Sequence, residues 1–174
     1  MQPAVQPEFI PQVHSKPSLA DLLTIENSVS IFYSYARETD LSRLLSEEAN
    51  NGQGWTLFAP TNKAVMTLPR KPHQGSERTN EVEMTQEEFD RTAKTNVERW
   101  VSAHIIAEYP LTFDTEDHST LLEGSNISFK RDPNSDAGSP EWKQFTLNNG
   151  ARIVSKKEGI NGDLYIIDGS ILID

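Results

Sequence analysis

The ten residues TLFAPTNKAV, at positions 56–65, combine a strand, a corner and a helix start in one short stretch. The apolar run at 56–59 predicts a buried strand, and Pro60 ends it because proline cannot donate to the hydrogen-bond ladder of a sheet. Either the hydroxyl of Thr61 or the side-chain amide of Asn62 can then accept hydrogen bonds from the free amides of the next helix. The stretch therefore predicts a strand that turns directly into a helix.

The whole-chain numbers indicate one globular domain and argue against nucleic-acid binding. The chain has 174 residues, of which 36% are hydrophobic and 24% charged, values that suit a single domain with its own core. Sixteen basic and twenty-six acidic residues leave a net charge of −10, which repels phosphate backbones and anionic membrane surfaces. The chain contains no cysteine, so disulfides, thiolate catalysis and cysteine metal sites are excluded.

The first 17 residues differ in composition from the rest. Prolines occupy positions 3, 7, 11 and 17, and proline both blocks helices and lacks an amide donor. Residues 1–17 are therefore predicted to form an extended arm, and residues 18–174 a single domain. Because no apolar run approaches the roughly 18 residues that cross a bilayer, we expect membrane attachment only through an anchor outside this sequence.

Helical spacing dominates the first two thirds of the chain. Ser18 and Asp40 are expected to cap two early helices, and residues 69–84 are predicted to be a mobile insertion because they contain glycine and proline without periodicity. In the clearest helix, Thr85 and Glu88 form the pattern of a capping box. Apolar spacings of 4, 4, 3 and 4 then predict one buried stripe, made of Phe89, Ala93, Val97, Trp100 and His104.

The period changes to two after residue 110, which predicts strands in the last third of the chain. Alternation points Ile127 and Phe129 inward, and the pair Asn149-Gly150 predicts a hairpin turn between two short strands. Residues 164–167 are apolar on both faces, so their strand should lie inside a sheet or between layers. Helices followed by strands indicate an α+β domain.

Taken together, these segments resemble the fasciclin-type domain, FAS1. The resemblance rests on TLFAPTNKAV, the helix end AHII, the segment NGARIV and the closing stretch NGDLYIIDGSILI. The first and last of these segments, the two outer motifs, are each unspecific alone, but together they occur in the order found in the family. The resemblance extends from about residue 18 to residue 174. The positions that match the family motifs are Thr56, Phe58, Pro60, Thr61, Asn62, His104, Asn161, Gly162, Ile167 and Asp168.

The resemblance implies an α+β wedge, in which a β-sandwich-like pair of sheets has helices packed on one side. It implies a monomeric, non-catalytic adhesion or protein-interaction module without a cofactor, whose partner is another protein, a glycan or a cell-surface component. A structural spacer in a wall or matrix is the alternative. The resemblance also favours a closing strand that continues past Asp168 and Gly169 with a bulge, where that pair alone would predict a hairpin turn.

The chain departs from the family pattern at several positions. Ala103 stands where many members have tyrosine, and Tyr165 where many have histidine; SKKEGI, at 155–160, stands where integrin-binding animal members carry an Asp-Ile motif. Integrin binding is therefore not expected. The insertions at 69–84 and 131–143, the missing cysteines and the acidic balance are most similar to fungal members of the secretory pathway, in the vacuolar lumen, at the cell surface or outside the cell.

The histidines offer a different class of function, a metal-binding or hydrolytic protein. His104 has no second histidine at i+3 or i+4, which favours a buried, hydrogen-bonded role. The segment DTEDH brings Asp114, Asp117 and His118 together but lacks the glycine turn and bidentate glutamate of a calcium loop. It is predicted to be a solvated acidic turn after a strand at 111–113. No nucleophile motif is present, so catalysis is not expected.

Asn126 begins the one N-glycosylation sequon of the chain, Asn126-Ile127-Ser128. The predicted strand alternation points Asn126 outward, as attachment of a glycan requires. Asn126 is therefore the candidate modification site.

Overall fold

Helices make up most of the chain as far as residue 102, interrupted by one strand, and the other strands follow. A computed structural model describes residues 16–47, 53–74 and 84–173, so most of the predicted arm lies outside the described residues. The helices are α1 (Leu19–Ile25), α2 (Ser30–Ala36), α3 (Ser42–Ser46), α4 (Asn62–Met66) and α5 (Gln86–Ser102). The strands are β1 (Trp55–Pro60), β2 (Ile105–Ile106), β3 (His118–Ser119), β4 (Asn126–Ile127), β5 (Phe129–Arg131), β6 (Phe145–Leu147), β7 (Ile153–Gly159) and β8 (Gly162–Ile167).

One four-stranded sheet, with the order β2-β1-β8-β7, carries both outer motifs. Strands β1 and β8 pair in parallel, from Trp55 opposite Gly162 to Pro60 opposite Ile167. Strands β2 and β7 flank them in antiparallel orientation. The pairs β3-β4 and β5-β6 form two smaller sheets. Segments a hundred residues apart in the sequence are therefore neighbouring strands.

Side chains of the two central strands alternate between two hydrophobic clusters, because successive residues of a strand point to opposite faces. Leu57 and Leu164 pack with apolar residues of α1, α2 and α5. Phe58 and Tyr165 pack with those of β4, β5 and β6 on the other face. Every residue of β8 is buried, which confirms the strand predicted to be covered on both faces. The α+β class, with helices packed on one side, is confirmed.

Helix α5 begins as predicted, but its first apolar residue does not face the core. The Glu88 amide donates to the Thr85 hydroxyl at 3.1 Å and the Thr85 amide to the Glu88 carboxylate at 3.0 Å, so the capping box is confirmed. Val97 and Trp100 are buried, whereas Phe89 is 51% exposed. The prediction for Phe89 is wrong because periodicity identifies a helix face without showing how far the core extends beneath it.

The two predicted N-terminal caps differ in outcome. The Ser18 hydroxyl accepts from the Asp21 amide at 3.1 Å, so this cap of α1 is confirmed. The Asp40 prediction is wrong, since Leu41 holds the cap position of α3 in a helical conformation and no side chain caps the helix. A side-chain cap requires an extended residue at that position, and the chain enters α3 from a turn that is already helical.

The turn at Asn149-Gly150 is present, but the predicted hairpin around it extends only as far as Thr146 and Arg152. Gly150 has a φ of +93°, and its amide donates to the Leu147 carbonyl at 2.9 Å. The antiparallel bridge of Thr146 with Arg152 and the bond from the Leu147 amide to the Ala151 carbonyl at 2.9 Å join its two sides. Strand β6 pairs with β5, and β7 pairs with β8. A turn signal is local, whereas the choice of partner strand depends on distant residues.

Strand β8 ends at Ile167, so the expected continuation past Asp168 with a bulge is wrong. The register shift of this strand pair lies in β7, between Ile153 and Ser155. Asp168 closes the pairing instead: its amide donates to the Arg152 carbonyl at 3.0 Å, and its Oδ1 accepts from the Arg152 amide at 2.7 Å. A carboxylate that bonds the edge strand in this way takes the place of a further ladder bond.

Both predicted insertions contain hydrogen-bonded turns in their described parts. Pro72–Gln74 forms a 3-10 turn in which Pro72 is buried, while residues 75–83 lie outside the described residues. In the second insertion, the Asp132 amide donates to the Gln144 carbonyl at 2.8 Å, which closes the base of the loop. The mobility of the two insertions stays a prediction.

Candidate functional site

Both polar side chains of the corner between β1 and α4 form hydrogen bonds within the domain. Thr61 is the N-cap, and its hydroxyl accepts from the Ala64 amide at 3.2 Å. Asn62 has another role: its Oδ1 accepts from the Ile31 amide at 2.8 Å, and its Nδ2 donates to the Asn27 carbonyl at 3.0 Å. Thr61 thus starts α4, and Asn62 fastens the corner to the beginning of α2. The sequence alone did not decide which of the two residues caps α4, because the partners of Asn62 are remote in the chain.

The motif residues inside β1 are buried more deeply than Thr61 and Asn62, which are half-buried. The Thr56 hydroxyl is buried and donates to the Glu108 carbonyl at 2.6 Å. The Phe58 ring stacks on Tyr165, with 5.2 Å between ring centroids. Ala103, where many family members have tyrosine, is fully buried. These residues lie in the interior and present no side chain to a ligand.

At the end of the strand pair, Pro60 lies opposite Ile167. The Thr61 amide, the next donor along the chain, donates to the Ile167 carbonyl at 2.9 Å. The polar corner therefore extends the pairing by one bond beyond the proline, before α4 begins.

Asn161, in the turn before β8, joins three parts of the fold. Its side chain is fully buried, and its Oδ1 accepts from the Leu19 amide at 2.9 Å. Its Nδ2 lies 2.9 Å from the carbonyls of Leu45 and Glu47 and 3.2 Å from that of Leu44. The first amides and the last carbonyls of a helix have no partner within that helix. The side chain of Asn161 supplies hydrogen-bond partners to such groups at the start of α1 and at the end of α3.

Gly162 follows with a backbone conformation that a larger residue would not tolerate. Its φ is +153°, and a Cβ at this position would overlap the Trp55 carbonyl of the neighbouring strand. The glycine therefore allows β8 to approach β1 at the point where their parallel pairing begins.

His104 is fully buried, and its two ring nitrogens are both bonded to main chain. Nδ1 lies 2.7 Å from the Trp100 carbonyl, and the Ile171 amide donates to Nε2 at 3.0 Å. This pattern requires a neutral ring with its proton on Nδ1. Burial lowers the pKa of His104 to about 4, although the bond to Trp100 favours the charged form. His104 joins the end of α5 to the C-terminal segment.

His118 differs from the prediction of a solvated acidic turn. Its side chain is only 6% exposed, with Nδ1 at 2.9 Å from Glu108 Oε2 and Nε2 at 2.9 Å from Asp114 Oδ1. Burial lowers the pKa of His118, but the hydrogen bonds and negative charges of Glu108 and Asp114 outweigh it, so the pKa is raised. Asp117, by contrast, is exposed as predicted, and the preceding residues 111–113 form no strand.

Sequence reasoning missed Glu108, the second carboxylate on His118. It lies ten residues before the histidine, on the far side of the Tyr109-Pro110 turn, so no local spacing pointed to it. The hydrogen bond from His118, with a second from the Glu116 amide, lowers the pKa of Asp114. The cluster ties the segment before β3 to the body of the domain.

The histidines and acids considered above take part in separate sets of contacts. The ring of His104 is bonded to main chain, whereas His118 contacts Glu108 and Asp114. Across residues 16–47, 53–74 and 84–173, no group of three His, Asp or Glu side chains is placed to hold a metal ion. In the same residues, no helix combines the length and apolarity that a membrane span needs.

A cleft of about 280 Å³ lies beside the C-terminal segment. Its walls are residues 68–72 and residues 171–173, with Asn96, Arg99 and Trp100 of α5 between them. Asn126, the candidate glycosylation site, is exposed at the start of β4. The cleft and Asn126 are open to a partner, whereas the motif residues other than Thr61, Asn62 and Asp168 are buried.

Comparison with known proteins agrees with this arrangement. The family model described as Fasciclin domain matches residues 27–173. A FAS1 domain-containing protein of Emericella nidulans is 29% identical over 164 residues, which cover 91% of this chain and 63% of that protein. A FAS1 domain-containing protein of Aspergillus fumigatus is 35% identical over 101 residues (55% of this chain, 42% of the relative). One from Saccharomyces cerevisiae is 27% identical over 168 residues (95% and 56%).

The chain thus spans 42% to 63% of the length of these curated relatives. The family match covers most of the chain, and both outer motifs lie side by side in the central sheet. The chain therefore belongs to the fasciclin domain family.

Proposed function

We propose that this domain is a non-catalytic adhesion or protein-interaction module of the secretory pathway. Fasciclin domains generally act in adhesion and protein interaction. One observation carries the proposal: the polar side chains of the family motifs are used internally. Thr61, Asn62, Asn161 and His104 all bond backbone groups of the same domain. A partner would therefore be recognised by the outer surface, through shape and polar complementarity.

The proposed setting follows from the relatives and the composition. Fasciclin-domain proteins are commonly secreted or displayed at the cell surface, and the relatives named above come from fungi. We propose a fungal protein of the vacuolar lumen, the cell surface or the extracellular space, with a monomeric domain and attachment to a membrane only through a separate anchor. Its partner would be a protein, a glycan or a cell-surface component, and Asn126 would carry a glycan on the same outer surface.

The loop between β5 and β6 is the surface that we would test first, because binding residues concentrate on loops held by a rigid scaffold. Two bonds define its base: the Asp132 amide to the Gln144 carbonyl at 2.8 Å, and the Gln144 side-chain amide to the Ser139 carbonyl at 2.8 Å. Residues 133–138 are mostly exposed. They can be replaced while the bonds at the base remain.

The test compares three immobilised proteins: the intact domain, a variant with residues 133–138 replaced by a Gly-Ser segment of equal length, and the control Lys63→Gln, at an exposed position of α4. Binding is measured against intact fungal cells and against isolated wall glycans and surface proteins. We expect the intact domain and the control to bind the same component and the loop variant to lose it. Binding by none of the three would favour the structural spacer.

A second comparison separates the proposal from a metal-binding or hydrolytic function of His104, Asp114 and His118. The variant His118→Asn removes the imidazole from its two carboxylates but leaves the outer loops in place. We expect it to keep full binding of the component captured by the intact domain. Loss of binding in this variant, with the fold intact by circular dichroism, would contradict an outer-surface mechanism.

A further inference from the structure

The cleft beside the C-terminal segment has an apolar floor that the family motifs do not use. Trp100 is 4% exposed and Ile171 7% exposed, and both line the cleft together with the buried Pro72. Leu172 forms part of the rim and is 71% exposed. A volume of about 280 Å³ lies near the lower end of the range for small-ligand pockets, so the cleft suits a small apolar body.

The rim of the same cleft is cationic, although the chain as a whole carries a net charge of −10. Arg70, Lys71 and Arg99 line it, and none of its described lining residues is acidic. Like charges gathered around a low-dielectric cleft strengthen the local field and attract the opposite charge. The positive charge of the rim therefore favours binding of an anion, although the chain as a whole has a negative net charge.

Hydrogen bonds hold part of this rim in place before any ligand arrives. The Arg70 guanidinium donates to the Gln74 carbonyl at 3.1 Å, and Lys71 Nζ donates to the Met66 carbonyl at 3.1 Å. The Lys71 amide also donates to Gln74 Oε1 at 2.7 Å. These bonds reduce the conformational freedom that binding would otherwise remove. Arg99, in the last turn of α5, is exposed and can turn toward a bound head group.

We propose that this cleft binds a small anionic amphiphile. Its apolar body lies against Trp100 and Ile171, and its carboxylate or phosphate head group is bound at the rim by Arg99 and Lys71. A guanidinium suits both head groups, since its planar donors bond carboxylate and phosphate in a bidentate manner. This site is independent of the outer loop assigned above to partner binding.

The test uses four decyl compounds below their micelle concentrations: decanoate, decyl phosphate, decanol and decyltrimethylammonium. Binding is followed by NMR shifts of the Trp100 indole and the Ile171 amide, and affinity by calorimetry. We expect decanoate, decyl phosphate or both to shift these signals, decanol to bind more weakly and the cation not to bind. Comparing the two anions distinguishes a carboxylate from a phosphate source.

The matched variants are Arg99→Gln and Arg91→Gln, which remove the same charge from the same helix; Arg91 does not line the cleft. We expect Arg99→Gln to weaken binding of the anion about fivefold, and Arg91→Gln to leave it unchanged. Leu172→Ser should weaken the binding of both the anion and decanol. Equal effects of Arg91→Gln and Arg99→Gln, equal affinity for all four compounds, or no shift at Trp100 would each overturn the proposal.

Discussion

At the scale of single residues, Asn161 makes hydrogen bonds that its place in a turn does not indicate. Its side chain bonds Leu19, 142 positions earlier in the chain, and the carbonyls at the end of α3. Removing an amide from such a network lowers the stability of the fold strongly, because its partners are left without hydrogen bonds. From the sequence, Asn161 is typical of a turn residue, but in the structure its side chain connects segments near both ends of the domain.

We expect Asn161→Ala to lower the free energy of unfolding by about 3 kcal/mol or more, since buried and half-buried backbone groups at the start of α1 and the end of α3 lose their partner at once. Urea unfolding followed by circular dichroism measures this change. The control is Asn96→Ala, whose amide makes one bond to the His73 carbonyl at 3.0 Å and should cost about 1 kcal/mol. Equal losses in the two variants would contradict the role assigned to Asn161.

His104 should remain neutral through the whole physiological range. Its pKa of about 4 means that the folded protein excludes a proton that the unfolded chain takes up below pH 6.5. Stability is therefore present above pH 6.5 and falls by about 3 kcal/mol as the pH drops to 4. Nitrogen-15 NMR of the ring should show the Nδ1–H tautomer without titration down to pH 5. A midpoint near 6.5 would contradict the buried, doubly bonded ring.

His118 should have the opposite pH dependence. Glu108 and Asp114 raise the pKa of His118 above 6.5, so the folded protein binds this proton more tightly than the unfolded chain. The stabilisation is fully present below pH 6.5 and is lost as the pH rises through the folded pKa. The difference in unfolding free energy between wild type and His118→Asn should therefore shrink as the pH rises above 6.5. With His73→Asn as control, a difference that grew with pH would contradict the bonding of His118 to Glu108 and Asp114.

At the scale of elements, Thr61 sets the start of α4. Thr61→Ala should reduce the free energy of unfolding by about 1 kcal/mol, because the Ala64 amide loses its acceptor. Thr61→Ser keeps the hydroxyl and should change stability little. Thermal or urea unfolding of the pair measures both effects, and a serine variant as unstable as the alanine variant would show that the methyl group, not the cap, matters.

The elements that the sequence predicted correctly are those whose causes are local. Proline, N-cap and capping-box signals at Pro60, Thr61 and Thr85 act within four residues, and each was confirmed in place. Most of the failures are non-local, although the Asp40 cap failed within its own turn. The exposure of Phe89 depends on where the core ends, and the pairing of β6 depends on a strand that precedes it by fourteen residues or more. The carboxylate environment of His118 likewise required the fold.

At the scale of the whole molecule, one strand pair joins the two ends of the described domain. Strand β1 lies near the N-terminal helices and β8 near the C-terminus, yet they pair over six residues and separate the two hydrophobic clusters. Both faces of this pair are covered, so its amides should open only when the domain unfolds. We infer that the family motifs support this strand pair and do not act on a ligand.

Amide hydrogen exchange tests that claim most directly. In the wild-type domain, the amides of Leu57, Ala59, Leu164 and Ile166 should exchange slowest, with a free energy equal to that of global unfolding. In Asn161→Ala, exchange at all four should accelerate by one common factor that matches the loss of global stability. Exchange in β8 well below the global free energy, or acceleration confined to residues next to position 161, would contradict the claim.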